Sequence, residues 1–171
     1  VYEGAFRDDL ANGQGKITYP DGATYEGEWV GGVIEGVGRA TYPSGLVYEG
    51  EFKDARNHGQ GVMTYPDGYR YEGEWQNGQR HGQGKVTYPD GSVYEGQFAN
   101  GQRHGQGRIT IPDNPETPEN ESFAYEGEWR EGEISGRGVA TYANGDVYEG
   151  MFLNGKRQGE GTMRYAGGQE E

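Results

Sequence analysis

The sequence predicts an all-β protein, an elongated single-layer meandering antiparallel sheet of repeated β-hairpins with about 14 strands. Three observations carry that expectation. The tyrosine that opens Tyr-Glu-Gly recurs at Tyr2, Tyr25, Tyr48, Tyr71, Tyr94, Tyr125 and Tyr148, spaced by 23 residues five times and by 31 once. Within each repeat, ring-bearing and small residues alternate with polar ones at the period of two that marks a strand. Turn signals of the Pro-Asp-Gly type separate the repeats, and no stretch of note carries a helical period.

The fourth repeat, YEGEWQNGQRHGQGKVTYPDGSV from Tyr71 to Val93, shows the elements in order. Tyr71, Gly73 and Trp75 alternate with Glu72 and Glu74, giving a first strand with a ring-bearing face and a charged face. A loop of about six residues then leads to a second strand, in which Gly82, Gly84, Val86 and Tyr88 alternate with Gln83, Lys85 and Thr87. Antiparallel pairing sets Trp75 beside Gly82 and Tyr71 beside Val86, so that rings cover glycines whose entropic cost in a strand needs such a reason. In Pro-Asp-Gly, proline presets φ, aspartate suits a type I turn and glycine accepts the left-handed position of a bulge. The repeats run 1–24, 25–47, 48–70, 71–93, 94–124 with an inserted loop at 112–124, 125–147 and 148–171, a single array over the whole chain. At ~4.8 Å per strand such a sheet extends ~65 Å.

These residues carry a family resemblance. YEGEW, the HGQG, EGVG and SGRG glycine pairs and TYPDG at a 23-residue period resemble the MORN (membrane occupation and recognition nexus) repeat, in register through all seven repeats. The resemblance implies a twisted single-layer sheet and, as in several relatives, a homodimer or a docking surface for a partner protein. Three places depart from the pattern. The first repeat has Asp9 and Leu10 at its turn, and the last replaces Thr-Tyr-Pro-Asp by Arg164, Tyr165, Ala166 and Gly167 before an acidic tail. The fifth has Ile111 for the second-strand tyrosine and carries the segment PDNPETPENESFA, predicted to project as a mobile loop.

Composition narrows the function. With 34 glycines among 171 residues the chain would suggest low complexity, but 14 Tyr, 5 Phe and 3 Trp argue for packing. Acidic residues exceed basic ones by 28 to 15, a net charge of −13 that repels nucleic acid and anionic headgroups. No run approaches the ~18 apolar residues of a spanning helix, so the chain is expected to be soluble and, by default, cytoplasmic. It opens at Val1 in mid-motif and reads as a trimmed piece. There is no cysteine.

Candidate chemistry is weak. The glutamates Glu26, Glu49, Glu72, Glu95, Glu126 and Glu149 stand two strands apart, ~9.6 Å, too far to share an ion. They are expected to pair across strands, Glu26 with Arg39, Glu72 with Lys85 and Glu95 with Arg108. His58, His81 and His104 recur at one position, read as capping or packing in the hairpin loop, because zinc needs ligands about 2 Å away. The glycine pairs lack the Lys-Ser/Thr of a phosphate loop. Asn120-Glu121-Ser122 is a weak glycosylation sequon. No catalytic set, cofactor site or metal site is predicted, and the protein is not expected to be an enzyme.

The aromatic face remains. Tyr25, Trp29, Tyr48, Phe52, Tyr71, Trp75, Tyr94, Phe98, Tyr125, Trp129, Tyr148 and Phe152 form two rows on one side of a sheet that has nothing of its own to cover them. Part of each ring is therefore expected to be accessible, and the face is predicted to bind a protein partner or a second copy. The competing reading is a membrane-associated module, against which the charge counts.

Overall fold

The computed structural model describes residues 1–168 and 171, so positions 169 and 170 of the acidic tail lie outside the described residues. Fourteen strands follow one another in sequence order in one open antiparallel sheet. They are β1 (Tyr2–Arg7), β2 (Leu10–Thr18), β3 (Thr24–Val30), β4 (Val33–Thr41), β5 (Val47–Lys53), β6 (Arg56–Thr64), β7 (Arg70–Gln76), β8 (Gln79–Thr87), β9 (Val93–Ala99), β10 (Gln102–Ile111), β11 (Phe123–Arg130), β12 (Glu133–Tyr142), β13 (Val147–Leu153) and β14 (Lys156–Arg164). Contacts divide the chain into two compact units, Val1–Gly84 and Lys85–Glu171.

The hairpin inside each repeat is tighter than expected. The six-residue loop does not form; two residues turn the chain, as where Val30 pairs with Val33 and Lys53 with Arg56. Both turn residues take positive φ, 49° and 80° at Asn77-Gly78 and 52° and 79° at Asn100-Gly101, the type I′ geometry whose twist matches that of the flanking strands. Asn-Gly is the preferred pair for it, and the glycine-rich surroundings had masked that signal. Turns within a unit also dock on the preceding hairpin: Gly32 N–H donates to Ala11 O at 2.9 Å and Gly132 N–H to Arg103 O at 2.8 Å.

The extra length is absorbed by a bulge. Gly27 faces Gly38 but Trp29 faces Ile34, so 35–37 oppose Glu28 alone. Consequently Trp29 does not sit beside the first glycine of its own hairpin; it pairs with Gly13 of the preceding repeat, as Phe52 does with Gly36 and Trp75 with Gly59. The first glycine of each pair is needed for φ, +78° at Gly36, which an L side chain rarely adopts. The carboxylate of Glu28 folds back into the bulge and accepts the Val37 N–H. Glu51 does the same for Gln60 N–H at 2.5 Å, and Gln97 for Gln106 N–H at 2.8 Å. These side chains, two carboxylates and one amide, are thus part of the hairpin rather than of a free charged face.

Between repeats the turn forms as predicted. Tyr42 N–H donates to Leu46 O and Gly45 N–H to Tyr42 O, both at 2.9 Å, enclosing Pro43, Ser44 and a left-handed Gly45 with φ +91°. Where aspartate stands in the turn its Oδ1 accepts the amide two residues on, Ala23 for Asp21 and Tyr69 for Asp67, each at 2.9 Å. The insertion is shorter than the sequence suggested, because Phe123 and Ala124 continue β11 and pair with Ile111 and Thr110. The residues between hold themselves by local hydrogen bonds: Asn114 Oδ1 accepts Glu116 N–H at 3.0 Å and Asp113 Oδ1 accepts Glu121 N–H at 3.2 Å.

Candidate partner-binding surface

The ring side is built from the tyrosine that opens each repeat. In the first unit Tyr25 meets Trp29 edge-to-face at 5.4 Å between centroids and Phe52 of the next repeat at 5.1 Å; Tyr48 meets Phe52 at 4.9 Å and Trp75 at 5.4 Å. The second unit repeats the arrangement, with Tyr94 against Phe98 and Trp129 at 5.2 and 5.1 Å, and Tyr125 against Trp129 and Phe152 at 5.5 and 5.2 Å. Each ring therefore bridges two hairpins, in the geometry the aromatic quadrupole prefers.

Polar ends are satisfied in the same way. The tyrosine hydroxyls donate to the carbonyl three residues on, Tyr25 to Glu28 O at 2.8 Å and Tyr71 to Glu74 O at 2.6 Å. Trp29, Trp75 and Trp129 donate Nε1–H to Gly15, Gly61 and Gly107 carbonyls of the preceding repeat at 3.0, 3.1 and 2.9 Å. The tyrosine, not the tryptophan, covers the second glycine: a Cβ on Gly38 would lie 2.5 Å from Tyr25 Cε2, and one on Gly84 2.6 Å from Tyr71 Cε2.

This packing corrects the expectation of an exposed aromatic face. Tyr25, Trp29, Tyr48, Phe52, Tyr71, Trp75, Tyr94, Phe98, Tyr125, Trp129, Tyr148 and Phe152 are all buried, at 0–7 % exposure. A single sheet buries them because each tyrosine lies over a glycine and meets the neighbouring rings edge-to-face, so that the rings cover one another. Burial disfavours the phenolate, pushing Tyr25, Tyr94 and Tyr125 up to about 12 and raising Tyr48 and Tyr71 as well. Arginines extend the cover: Arg103 lies over Trp129, 4.6 Å from the centroid, and over Tyr94 at 5.8 Å, while Nη2–H donates to Gly132 O at 2.7 Å.

Apart from Phe6 in the edge hairpin, which is 64 % exposed, the accessible rings belong to a row that sequence reasoning left unassigned, the second-strand tyrosines before the inter-repeat turns. Tyr19, Tyr42 and Tyr65 in the first unit are 40, 41 and 37 % exposed. Ala23 and Leu46, half-buried, stand across the turns from Tyr19 and Tyr42, and Tyr69 stands across from Tyr65 with ring centroids 5.0 Å apart. The signal was present in the TYP segments, but those rings had been read only as strand residues. In the second unit Ile111 interrupts the row. There Phe123, Ile134, Tyr142 and Phe152 line a depression of about 340 Å³, with Lys156 and Arg157 at its margin.

The other candidates fall away from any common site. His58 and His104 lie in the bulges opposite Glu51 and Gln97, and His81 lies in β8, so none occupies a hairpin loop. His104 Nδ1 accepts Glu131 N–H at 3.3 Å, a packing link to the next repeat. Glu26 faces Arg39 and Glu95 faces Arg108 in the predicted register, yet the ion pairs form with the neighbouring hairpin, Arg39 with Glu49 at 2.7 Å and Lys85 with Glu95 at 3.6 Å. Arg70 pairs with Glu72 at 3.4 Å. All three pairs are exposed and contribute little to stability. Among the described residues no helix is long and apolar enough to cross a membrane.

Comparison with known proteins agrees with this geometry. The sequence profile described as the MORN repeat matches residues 2–24, 25–47, 48–68, 71–93, 94–114, 125–147 and 148–170. No curated protein sequence matches the chain. Among solved structures the chain is similar to the TCP domain of Drosophila melanogaster SAS-4, seen in complex with a proline-rich motif of Ana2, with a TM-score of 0.53, 16% identity, and coverage of 92% of this chain and 81% of that one. It is also matched to the G-box domain of the microcephaly protein CPAP, with a TM-score of 0.30, 17% identity, and coverage of 93% and 97%. At these identities the first likeness is one of fold.

Proposed function

The chain belongs to the MORN repeat family, and from that premise we propose that it is a protein-interaction scaffold whose docking surface lies on the ring side of its hairpins. The observation that carries this reading is the outer tyrosine row of the first unit. Tyr19, Tyr42 and Tyr65 stay 37–41 % exposed on a side where Tyr25, Trp29, Tyr48, Phe52, Tyr71 and Trp75 are buried in packing. Exposed rings on a rigid support are the residues that enrich the centres of protein interfaces. The buried rings of the same unit, Tyr25, Trp29, Tyr48, Phe52, Tyr71 and Trp75, serve this surface as its floor, fixing the spacing and orientation of the outer row. The fold neighbour SAS-4 TCP domain is described with a protein segment as its ligand, which supports a protein partner here.

The test is capture of protein partners by the intact chain and by two surface variants. Tyr42→Glu places a charge in the outer row, and Glu26→Lys alters the opposite, charged side. Partners lost with Tyr42→Glu and kept with Glu26→Lys, both proteins retaining the β circular dichroism of the parent, are the expected result. The reverse pattern, or capture that ignores both changes, rejects the ring side as the docking surface. Light scattering on the same proteins shows whether the partner is a second copy. Flotation with phosphatidylserine vesicles at 0.15 M salt is the arm for the membrane reading, and no saturable binding is expected from a chain of net charge −13.

A further inference from the structure

We propose that the outer row of the first unit binds a basic, proline-rich segment in the polyproline II conformation; the proposal rests on the interaction reading above and names the partner's chemistry. Spacing is the first argument. Tyr19, Tyr42 and Tyr65 end β2, β4 and β6, so successive rings stand two strands apart, ~9.6 Å. A polyproline II helix rises ~3.1 Å per residue with three residues per turn, and so presents the same face every ~9.3 Å. The two periods differ by ~0.3 Å per interval, ~0.6 Å over the three ridges.

Relief is the second argument. Ala23 and Leu46 occupy the ladder positions between the tyrosines, so the row reads as ridge, trough, ridge, trough, ridge. A ring at every third ligand position fits the troughs, and its flanks lie against tyrosine faces. Such a segment loses little chain entropy on binding, because proline already fixes it. From Tyr19 to Tyr65 the row spans ~19 Å, a length covered by about six residues of the ligand.

Charge is the third. Asp21 and Asp67 stand exposed on the turns directly outboard of Tyr19 and Tyr65, each with one oxygen engaged by its own turn amide. The cation on this side, Arg80, lies inboard over the Tyr71 ring, 5.9 Å from the centroid, and donates to the Tyr69 hydroxyl. Prolines seated in the troughs between the tyrosines thus leave the outboard edge of the ligand facing carboxylates, which suits lysine or arginine there, on a protein of net charge −13.

The experiment is fluorescence anisotropy with the full chain and two labelled peptides of equal composition. Both carry prolines and two arginines; one has proline at every third position and the other at every fourth. Binding of the period-three peptide at least about tenfold tighter than the period-four peptide is expected. Tyr42→Ala and, independently, Tyr19→Ala should each weaken it by about tenfold, with Tyr42→Phe restoring affinity. Asp21→Asn with Asp67→Asn should flatten its salt dependence. Equal affinity for the two peptides, no binding of either, or indifference to both alanine variants in folded protein overturns the proposal. If neither peptide binds while Tyr42→Glu still abolishes partner capture, the polyproline assignment fails and the interaction reading stands. If Tyr42→Glu leaves capture intact, the interaction reading fails first.

Discussion

The tyrosine that opens each repeat meets its demands with one side chain: it stacks on two neighbours, donates through its hydroxyl, and lies over a glycine. Substituting that glycine tests the arrangement. In Gly38→Ala the new methyl would sit 2.5 Å from Tyr25 Cε2, and Tyr25 cannot swing away while it donates to Glu28 O and is wedged between Trp29 and Phe52. Overpacking of this kind costs ~1–3 kcal/mol, which urea denaturation should show as a lower midpoint at unchanged slope. The same tyrosines make the fold sensitive to alkali. Burial raises Tyr25, Tyr94 and Tyr125 to about 12 from the ordinary tyrosine value of 10.0, so the native state keeps protons that the unfolded chain releases. Their contribution is complete below pH ~10 and is lost as pH climbs through 10 towards 12. Denaturant midpoints at about pH 9 and about pH 11 should fall with pH, and tyrosinate absorbance should appear together with unfolding. A midpoint unchanged across that interval would mean the rings are far less buried than described.

At the scale of the hairpin, the two-residue turn and the bulge act together, one shortening the loop and the other absorbing the residues displaced. Asp54-Ala55 is the turn least suited to its geometry, since Ala55 holds φ +63° with neither the freedom of glycine nor the short polar side chain that eases this conformation at Asp9, φ +65°. Ala55→Gly should therefore stabilise the protein by about 1 kcal/mol, read as a higher thermal midpoint. Inside the bulge, Glu51→Gln should be tolerated because Gln97 already makes the equivalent bond to Gln106 N–H, whereas Glu51→Ala leaves Gln60 N–H without its acceptor and should cost ~1–2 kcal/mol. A Glu51→Gln loss as large as that of alanine would show that charge, not hydrogen bonding, holds the bulge. The strands and the Pro-Asp-Gly turns were legible because their signals are local: a period of two, a proline, a glycine two residues on. The bulge was not, because three residues opposing one has no periodic signature, and Gly36 in the left-handed region looks in sequence like Gly38 beneath a ring.

For the whole molecule, repetition made the fourteen-strand order readable from tyrosine spacing alone, while the burial of the aromatic side was not. Alternation assigns Tyr71 and Trp75 to a face, but it says nothing of whether the rings stand up into solvent or lie down and cover one another. That depends on contacts between repeats, such as Tyr48 with Trp75, which residues of a single repeat do not reveal. The insertion in the fifth repeat separates these levels. Ile111 pairs with Phe123, just as Tyr42 pairs with Leu46 in a repeat without an insertion, so the sheet is complete on both sides of residues 112–122. The hydrogen bonds described for that segment are internal, among Asp113, Asn114, Glu116, Thr117, Glu119, Asn120, Glu121 and Ser122. Replacing 112–122 by Pro-Asp-Gly should then restore the turn that closes the first, third and fourth repeats, with no strand residue altered. A shorter loop costs less entropy to close, by roughly 1 kcal/mol on the logarithmic scaling of loop length, so the expected result is an equal or slightly higher urea midpoint with the β circular dichroism retained. A clear loss of stability would show that the insertion packs on the sheet and completes the second unit, in which case it belongs to the fold rather than to its surface.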